Sequence, residues 1–294
     1  MLLNASGCLD ALTAPDVARA LDGFVTKTIT PLPRQGNAPV RIAETDVGML
    51  NSIGLANPGR DAFVADVLPC LAHLGLPVWV SVGGFSAEDF ARTCAVLDQG
   101  DVAVIELNLS CPNVDEAPES AAEIVAACRA ATPLPLYAKL SPAVPDPAAV
   151  ARAVQAAGAD GLSLINTLRG MKLDTRTLRP VLGREIGGLS GPALKPVALA
   201  AVHACYRATG LPIVAMGGVS TGRDALELIA AGARDVALGT VLFADPDAPA
   251  RIRAELAAEC EALAVGHPDN AHALAHTPFL MPEKVLDIEV NLTA

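Results

Sequence analysis

Aromatic residues are scarce in this chain of 294 residues: they make up 3% of it, with one tryptophan and two tyrosines. The core must therefore be aliphatic, and a surface on which nucleic-acid bases stack is not expected. Basic residues are outnumbered by acidic ones, so that the formal net charge is −11. A chain of that charge is a poor partner for DNA, RNA or an anionic lipid surface.

Long apolar runs are also missing. No stretch of about 18 consecutive apolar residues occurs, so the sequence predicts no membrane-spanning helix. Polar Asn4 follows the first three residues directly, unlike the long apolar segment of a secretory signal. The seven cysteines include no Cys-x-x-Cys pair and no metal-ligand spacing with histidine. We therefore expect reduced thiols, no metal site and a cytoplasmic location.

What the chain does have is apolar content, at 52%, which excludes disorder as the main state. Short apolar runs recur eight times, and most are followed by an alanine-rich helical pattern. The runs are residues 2–6, 24–28, 78–82, 102–109, 136–140, 161–166, 213–216 and 236–239. Strands that lack apolar/polar alternation are typical of a parallel sheet covered on its outer face. The pattern predicts an α/β fold: a single (β/α)8 TIM barrel over residues 1–265, followed by a C-terminal tail, 266–294, of unclear role.

Two segments, 31–58 and 166–195, do not fit simple barrel units. Both are rich in residues that favour turns, and both follow the carboxyl end of a predicted strand. Loops this long are uncommon unless they are functional. Because the active sites of TIM barrels lie at that end of the strands, we expect long loops over the site.

Glycines close the last two predicted strands. Gly217 and Gly218 follow the seventh strand, Gly239 and Thr240 follow the eighth, and Gly191 offers a further close backbone approach. Backbone N–H groups at such turns, next to a short helix, can bind a phosphate. Tight turns alone would also explain the glycines, but their joint placement favours a phosphate site.

Cys111 differs from the other cysteines, which lie in helical or N-terminal patterns. It comes just after a predicted strand, within the segment Asn108-Leu109-Ser110-Cys111-Pro112-Asn113. A thiol with an ordinary pKa near 8.5 can be tuned to act as a general base. No histidine is near it in sequence, so a Cys–His nucleophile is not indicated.

Two lysines, Lys27 and Lys139, lie in otherwise apolar strands, where each needs an anionic partner. Amide side chains stand at several loop starts: Asn51, Asn108, Asn113 and Asn166. Amides both donate and accept hydrogen bonds and suit a small planar ring with amide and carboxylate groups. Together, at one face of a barrel, these residues predict a binding site for such a ring.

The chain resembles the class 1 dihydroorotate dehydrogenases over roughly residues 1–245. The matching segments are Asn4-Ala5-Ser6-Gly7, Lys27-Thr28, Leu50-Asn51-Ser52-Ile53-Gly54-Leu55, Asn108 to Asn113, Lys139-Leu140-Ser141-Pro142, Asn166-Thr167, Gly187 to Gly191 and Met216-Gly217-Gly218. The resemblance implies a soluble FMN-dependent barrel that oxidises dihydroorotate to orotate in pyrimidine synthesis. Hydride would leave C6 of dihydroorotate for FMN, and Cys111 would take the C5 proton as the base.

Binding roles also follow from the resemblance. The implied FMN contacts are Ser6, Lys27, Thr28, Asn108, Lys139, Ile165, Gly191, Gly217, Gly218, Gly239 and Thr240. The implied dihydroorotate contacts are Lys27, Asn51, Ser52, Ile53, Gly54, Leu55, Asn108, Asn166 and Thr167. Two departures stand out: Ser81 replaces an asparagine that is frequent in the family, and the segment after Cys111 is short.

Three alternatives follow for the function and its partners. The first is the dehydrogenase, as a homodimer that binds an FAD/iron–sulfur subunit and passes electrons to NAD; a homodimer that uses fumarate is the other form. The second is a reductase of the dihydropyrimidine dehydrogenase type, which shares the barrel, FMN and a cysteine acid. The third is a flavin-binding barrel without activity. Intact Cys111, Lys27 and Lys139 favour the first.

Overall fold

Eight parallel strands form the centre of the fold in a computed structural model, which describes residues 1–97, 101–110 and 118–277. The strands are β1 Leu2–Asn4, β2 Phe24–Val25, β5 Val78–Val82, β6 Val104–Asn108, β7 Leu136–Leu140, β8 Gly161–Leu164, β11 Ile213–Ala215 and β12 Asp235–Leu238. Their order is β1-β12-β11-β8-β7-β6-β5-β2. Each lies in or near one of the eight apolar runs, and the predicted TIM barrel is confirmed.

The side chain of Asn4 joins the two strands at the ends of this order. Its Nδ2 donates to the Val25 carbonyl at 2.7 Å, and its Oδ1 accepts from the Val25 N–H at 2.8 Å. Asn4 is fully buried, so an unpaired amide there would be costly. The amide thus supplies hydrogen bonds between β1 and β2, where the ladder of backbone pairs ends.

Helices cover the outside of the barrel. They are α1 Pro15–Arg19, α2 Arg60–Ala62, α3 Leu68–Leu71, α4 Ala87–Leu97, α5 Pro118–Ala131, α6 Pro147–Ala156, α7 Lys195–Thr209, α8 Gly222–Ala230, α9 Val241–Ala244, α10 Ala248–Ala262 and α11 Pro268–Ala271. The alanine-rich patterns predict helices over residues 87–97, 120–130, 147–157, 196–209, 222–231 and 249–264, and α4 to α8 and α10 begin and end within about two residues of these bounds. In the part of the chain that the structure describes, no helix has the length and apolarity to span a membrane.

The lower half of the barrel interior is apolar. Trp79 of β5 and Tyr137 of β7 meet edge to face with ring centroids 4.8 Å apart, next to Val104 and Val214. Gly161 of β8 stands opposite Tyr137, where any side chain would overlap the ring. This layer closes the barrel from below, so a ligand can enter only from the carboxyl ends of the strands.

A second, four-stranded antiparallel sheet lies in the two long segments. It consists of β3 Ile42–Thr45, β4 Gly48–Asn51, β9 Leu168–Met171 and β10 Ile186–Ser190, in the order β3-β4-β10-β9. We call it the cap sheet. The two segments are not irregular loops as predicted, because each contributes two strands to this sheet. β4 of the first segment pairs with β10 of the second, as in Gly188↔Asn51, more than 100 residues apart. Leu50, Ala43 and Leu182 give the cap sheet a small core of its own.

The chain packs against the barrel beyond residue 265. His276 Nε2 lies 2.9 Å from the Ala231 carbonyl, and His272 Nε2 lies 3.2 Å from the Gly232 carbonyl. The ring of His276 also stacks on His203 of α7, with centroids 4.1 Å apart. Residues 268–277 are therefore attached to the helical layer, and the division of the chain at residue 265 stays a prediction.

Helix α8 begins at a carboxylate that joins two elements near the site. Asp224 accepts from the backbone N–H groups of Ser220 and Thr221, and Thr221 completes a capping box with it. Lys195, at the start of α7, donates to Asp224 Oδ1 at 2.7 Å. Because Ser220 lies two residues after Gly218, Asp224 fixes the turn that the sequence assigns to phosphate binding.

We expect Asp224→Asn to lower the free energy of unfolding at pH 7 by about 2 kcal/mol, the upper range for a helix cap. Burial alone would raise the pKa of Asp224, but the Lys195 ammonium and the backbone donors outweigh it and hold that pKa below its usual range. The contribution of Asp224 to stability is therefore complete above about pH 4, the pKa of an aspartate in the unfolded chain. It is lost as the pH falls through the lower pKa that Asp224 has in the folded protein. Urea unfolding of both proteins at pH 7 and pH 3 measures this.

Asp16→Asn is the matched control, because Asp16 forms an exposed pair with Arg19 and an exposed pair contributes at most about 1 kcal/mol. A stability difference between Asp224→Asn and the wild type that stays constant from pH 7 to pH 3 would contradict the prediction.

Candidate functional site

Hydroxyl and amide groups line the barrel above the apolar layer. The Thr28 hydroxyl is their centre: it lies 2.9 Å from Ser81 Oγ and 3.2 Å from Ser6 Oγ, and it accepts from Asn108 Nδ2 at 3.2 Å. Thr28, Ser81 and Asn108 are buried. Ser81 stands at the position where an asparagine is expected from the sequence, and its hydroxyl is bonded to Thr28 inside the barrel.

Lys139 extends the polar lining to β7. Its Nζ lies 3.4 Å from Glu106 Oε1, and the second oxygen of Glu106 accepts from Ser163 Oγ at 2.7 Å. Glu106 is 1% exposed and Lys139 is 5% exposed. The anionic partner that the sequence requires for Lys139 is therefore Glu106, on the neighbouring strand.

Lys27 and Cys8 lie on the opposite side of this mouth. A side chain on Gly7 would meet the Lys27 side chain 2.8 Å away, so Gly7 leaves the space that Lys27 fills. Burial raises the pKa of the Cys8 thiol, Lys139 and Lys27 lower it, and Glu106 raises it further. Burial is the largest of these effects, so the pKa of the thiol lies above its usual value.

A row of amides connects the barrel mouth with the cap sheet. Asn166 Nδ2 donates to Asn108 Oδ1 at 3.3 Å, and Asn166 Oδ1 accepts from the Thr167 N–H at 2.8 Å. The Thr167 side chain fills the space that a side chain on Gly188 would need. Gly188 in turn accepts from Asn51 Nδ2 at 3.3 Å. Asn51, Asn108, Asn166 and Thr167, predicted separately as substrate contacts, therefore form one continuous surface.

The segment from Ser52 to Leu55 follows β4 on the same side. Asn37 holds it: its Nδ2 donates to Ser52 Oγ at 2.9 Å, and its backbone N–H donates to the Ile53 carbonyl at 3.0 Å. Leu55 has a φ of 57°, which costs a non-glycine residue about 1 kcal/mol. Such strain is found where the surroundings fix a functional loop.

Three glycine turns meet at the carboxyl ends of the last strands. Gly217 and Gly218 have φ values of 118° and 81°, and a side chain on Gly218 would meet the Lys195 backbone N 2.6 Å away. Gly191 has a φ of 103° and lies against Gly48. Thr240, after Gly239, donates to Ser190 Oγ at 2.9 Å and so joins the β12 turn to the Gly191 turn. We call these three turns, at Gly191, at Gly217 and Gly218, and at Gly239 and Thr240, the glycine cradle.

Not every predicted residue can be placed. Cys111 and Asn113 lie outside the described residues, so the assignment of the base stays a prediction. Ile165 is buried, and its side chain contacts the Gly217 turn, where the sequence placed a cofactor contact.

Sequence reasoning missed Glu106 and Ser163. The signal for Glu106 was present, because a carboxylate in an apolar strand needs a cationic partner as much as a lysine needs an anionic one. Ser163 gave none, since its hydrogen bond joins it to a residue far away in sequence.

The comparisons with known proteins agree with this geometry. The sequence model of the family described as dihydroorotate dehydrogenase matches residues 1–260. The chain belongs to the dihydroorotate dehydrogenase family. The matched residues include both the barrel and the cap sheet, so all the elements that carry the described site residues lie within the family match.

Several relatives within this family share a printed name, dihydroorotate dehydrogenase B (NAD(+)), catalytic subunit. The protein from Desulforudis audaxviator is 48% identical over 244 residues, which cover 80% of each chain. That from Latilactobacillus sakei is 49% identical over 236 residues, 77% of each chain. That from Geobacillus kaustophilus is 40% identical over 279 residues, 90% of this chain and 88% of the relative. Among solved structures, a dihydroorotate dehydrogenase from Eimeria tenella in complex with ferulenol shares the fold, with a TM-score of 0.80 and 23% identity over 94% of this chain and 85% of that one.

The predicted family, activity and cofactor are thereby confirmed: the family is one of FMN-dependent oxidoreductases that oxidise dihydroorotate. The residues present fit FMN. The glycine cradle presents backbone N–H groups at the carboxyl ends of the strands, where TIM barrels bind phosphate, and its Gly217-Gly218 turn packs so closely on Ile165 and Lys195 that no side chain fits there. The buried lysine at the centre of the barrel suits the ring system, which gains negative charge on reduction.

Proposed function

We propose that the chain oxidises dihydroorotate to orotate as the catalytic subunit of a larger enzyme, with Cys111 as the general base. The observation that carries this proposal is the continuous row from Thr28 through Asn108 and Asn166 to Asn51, in a chain whose family match covers residues 1–260. FMN, when bound, supplies the acceptor for the hydride that leaves C6 of the substrate.

Residues at the carboxyl ends of the strands bind the cofactor in this proposal. Backbone groups of Gly191, Gly217, Gly218, Gly239 and Thr240 hold the phosphate. The side chains of Ser6, Thr28, Lys27, Asn108 and Lys139 hold the ring system, and Ile165 packs against it. These groups come from strands around one mouth of the barrel, because β11 and β12 lead into the glycine turns and β6 and β7 carry Asn108 and Lys139.

Amides bind the substrate above the ring system. Asn51, Asn108 and Asn166 present donors and acceptors to the amide groups of the pyrimidine ring. Lys27 and the backbone of 52–55, with Thr167, complete the contacts and hold the carboxylate. Because most of these side chains are already hydrogen-bonded to one another, they are oriented before the substrate arrives, which lowers the cost of binding.

Proton removal is the role of Cys111. In sequence it comes three residues after Asn108, which belongs to both proposed binding sets. As the base, it takes the C5 proton of dihydroorotate while hydride leaves C6.

The function is tested by one absorbance measurement. Purified protein reconstituted with FMN and kept free of oxygen should lose its flavin absorbance on addition of dihydroorotate and keep it on addition of dihydrouracil. Loss with dihydrouracil alone would favour the dihydropyrimidine dehydrogenase type of reductase. No loss with either compound would favour the flavin-binding barrel without activity.

We expect Gly218→Ala to weaken FMN binding at least tenfold and to destabilise the protein by about 2 kcal/mol. The added methyl group would lie 2.6 Å from the backbone of Lys195 at a φ of 81°, so the turn must move away from the phosphate. Fluorescence titration with FMN and thermal unfolding measure the two effects.

Gly210→Ala is the matched control. Gly210 also has a positive φ, 65°, but nothing lies within 4 Å of its added methyl group. It should lose about 1 kcal/mol of stability and keep its FMN affinity. Unchanged FMN affinity in Gly218→Ala would place the phosphate elsewhere.

Assembly is the remaining part of the proposal. The relatives are named as catalytic subunits, which implies a second subunit in those enzymes. Large apolar side chains are exposed on and beside the cap sheet: Val40, Ile42, Val47, Met171, Leu173, Leu178 and Ile186. Met171 and Ile186 are direct cross-strand neighbours in it. Exposed apolar patches of this kind mark protein interfaces, and they support a homodimer that also binds an FAD/iron–sulfur subunit. A cytoplasmic location stays a prediction.

A further inference from the structure

The buried pair of Glu106 and Lys139 lies where it can act on the cofactor, a role that goes beyond binding. The two oxygens of Glu106 have separate partners on the next two strands, Lys139 Nζ at 3.4 Å and Ser163 Oγ at 2.7 Å. In the strand register, Lys139 stands between Asn108 and Ser163. Glu106 lies two residues before Asn108 on β6, in register with Tyr137 of β7. The serine hydroxyl therefore fixes the carboxylate, and the carboxylate fixes the ammonium.

Stability does not account for the pair. An ion pair removed from water carries a desolvation cost of several kcal/mol per charge, and apolar residues of the same size are often as stabilising. The apolar layer of the barrel interior, which includes Val104 and Tyr137, shows that this barrel can be filled with apolar side chains. Two charges that are at most 5% exposed, at the top of that layer, indicate a functional requirement.

Glu106 is not the only charge near Lys139. Lys27 follows β2 at the same mouth of the barrel, and its side chain fills the space beside Gly7. The Glu106 carboxylate offsets positive charge at this mouth through its contact with Lys139 Nζ at 3.4 Å. Without it, the Lys139 ammonium would face whatever binds above it with its full charge.

We propose that Glu106 is a positioning residue that holds the Lys139 ammonium beneath the flavin and offsets its charge, so that the pair sets how readily the bound FMN is reduced. This inference rests on the proposed function, in which Lys139 contacts the ring system. Reduction adds negative charge to the flavin, and nearby protein charge tunes its potential. Lys139 favours the reduced form, and Glu106 limits that preference.

The experiment measures the midpoint potential of FMN in the reconstituted holoprotein against a reference dye. Glu106→Gln keeps the size and hydrogen bonding of the side chain and removes its charge. We expect it to increase the ratio of affinities for reduced over oxidised FMN about tenfold, which is a rise of about 30 mV for a two-electron couple. Lys139→Met should lower the potential, and the double variant should lie between the two single variants.

A matched control removes a paired carboxylate at the other end of the barrel. Asp160 precedes β8 and accepts from Arg129 Nη1 at 2.8 Å, and Asp160→Asn should leave the potential unchanged. A purely structural role for Glu106 would lower thermal stability and weaken both forms of FMN equally, without moving the potential.

The outcomes separate this inference from the function on which it rests. Wild-type protein that takes up no FMN, or whose flavin dihydroorotate does not reduce, overturns both. Reduction by dihydroorotate together with an unchanged or lower potential in Glu106→Gln overturns the inference alone. Should Glu106→Gln not fold, the double variant decides, because its potential must then exceed that of Lys139→Met.

Discussion

Replacing Cys111 with alanine should slow reduction of bound FMN by dihydroorotate about 10²- to 10⁴-fold, the usual loss when a general base is removed. FMN should remain bound, because the proposed cofactor contacts are the glycine turns and the barrel interior rather than this loop. Cys111→Ser should retain part of the activity and gain more of it at high pH, since a hydroxyl is a poorer base until it loses its proton. Stopped-flow absorbance of the flavin, free of oxygen, measures the rate.

Cys70→Ala controls for the loss of a thiol as such. Cys70 is exposed on α3 and belongs to neither proposed binding set, so its variant should match the wild type. If Cys111→Ala reduced its flavin at the wild-type rate, the thiol would only fill space, and the base would have to be sought among the other groups of the barrel mouth.

The barrel could be predicted from sequence because its signal is local. Each strand is a short apolar run and each helix an alanine-rich segment, and the pattern repeats eight times, so errors at single boundaries do not change the topology. The same holds for the glycine turns. Gly217 and Gly218 adopt positive φ, and glycine is the residue type that does so without a steric cost, so a pair of glycines after a strand indicates such a turn.

The cap sheet could not be predicted in this way. Its strands are about four residues long and contain glycine, as at Gly187 and Gly188, so no alternation can be recognised. They are stabilised by pairing across the chain and by Leu50 and Leu182, which meet only in the folded protein. Asn51 on it was predicted as a substrate contact from the resemblance, and its link to Thr167 through Gly188 was not.

Buried polar partners mark a second limit. A lysine in an apolar strand indicates that a carboxylate lies near it, but the sequence does not identify which carboxylate. Glu106 is 33 residues away in sequence, and Ser163 is 57 residues from Glu106. Only the register of β6, β7 and β8 brings them together, and register is a property of the sheet rather than of any one strand.

The electron acceptor is argued from the relatives, which are named catalytic subunits of an NAD(+) enzyme. We propose that electrons from FMN reach NAD through a second protein. The exposed apolar side chains around Met171 and Ile186 offer surface for that assembly.

We accordingly expect the isolated chain, loaded with FMN, to be reduced by dihydroorotate once and then to stop, with neither NAD nor fumarate restoring turnover. Adding a co-purified FAD/iron–sulfur protein should raise turnover with NAD by orders of magnitude, because the rate is then limited by chemistry at the flavin. The measurement is orotate formed per FMN without oxygen, with each acceptor alone. Met171→Asp and Ile186→Asp, on the cap sheet, should weaken assembly while leaving the first reduction intact, and Leu263→Asp, an exposed leucine after α10, serves as the control. Rapid multiple turnover with fumarate would instead assign the chain to the homodimeric type, in which the acceptor reaches the flavin directly and no partner subunit is needed.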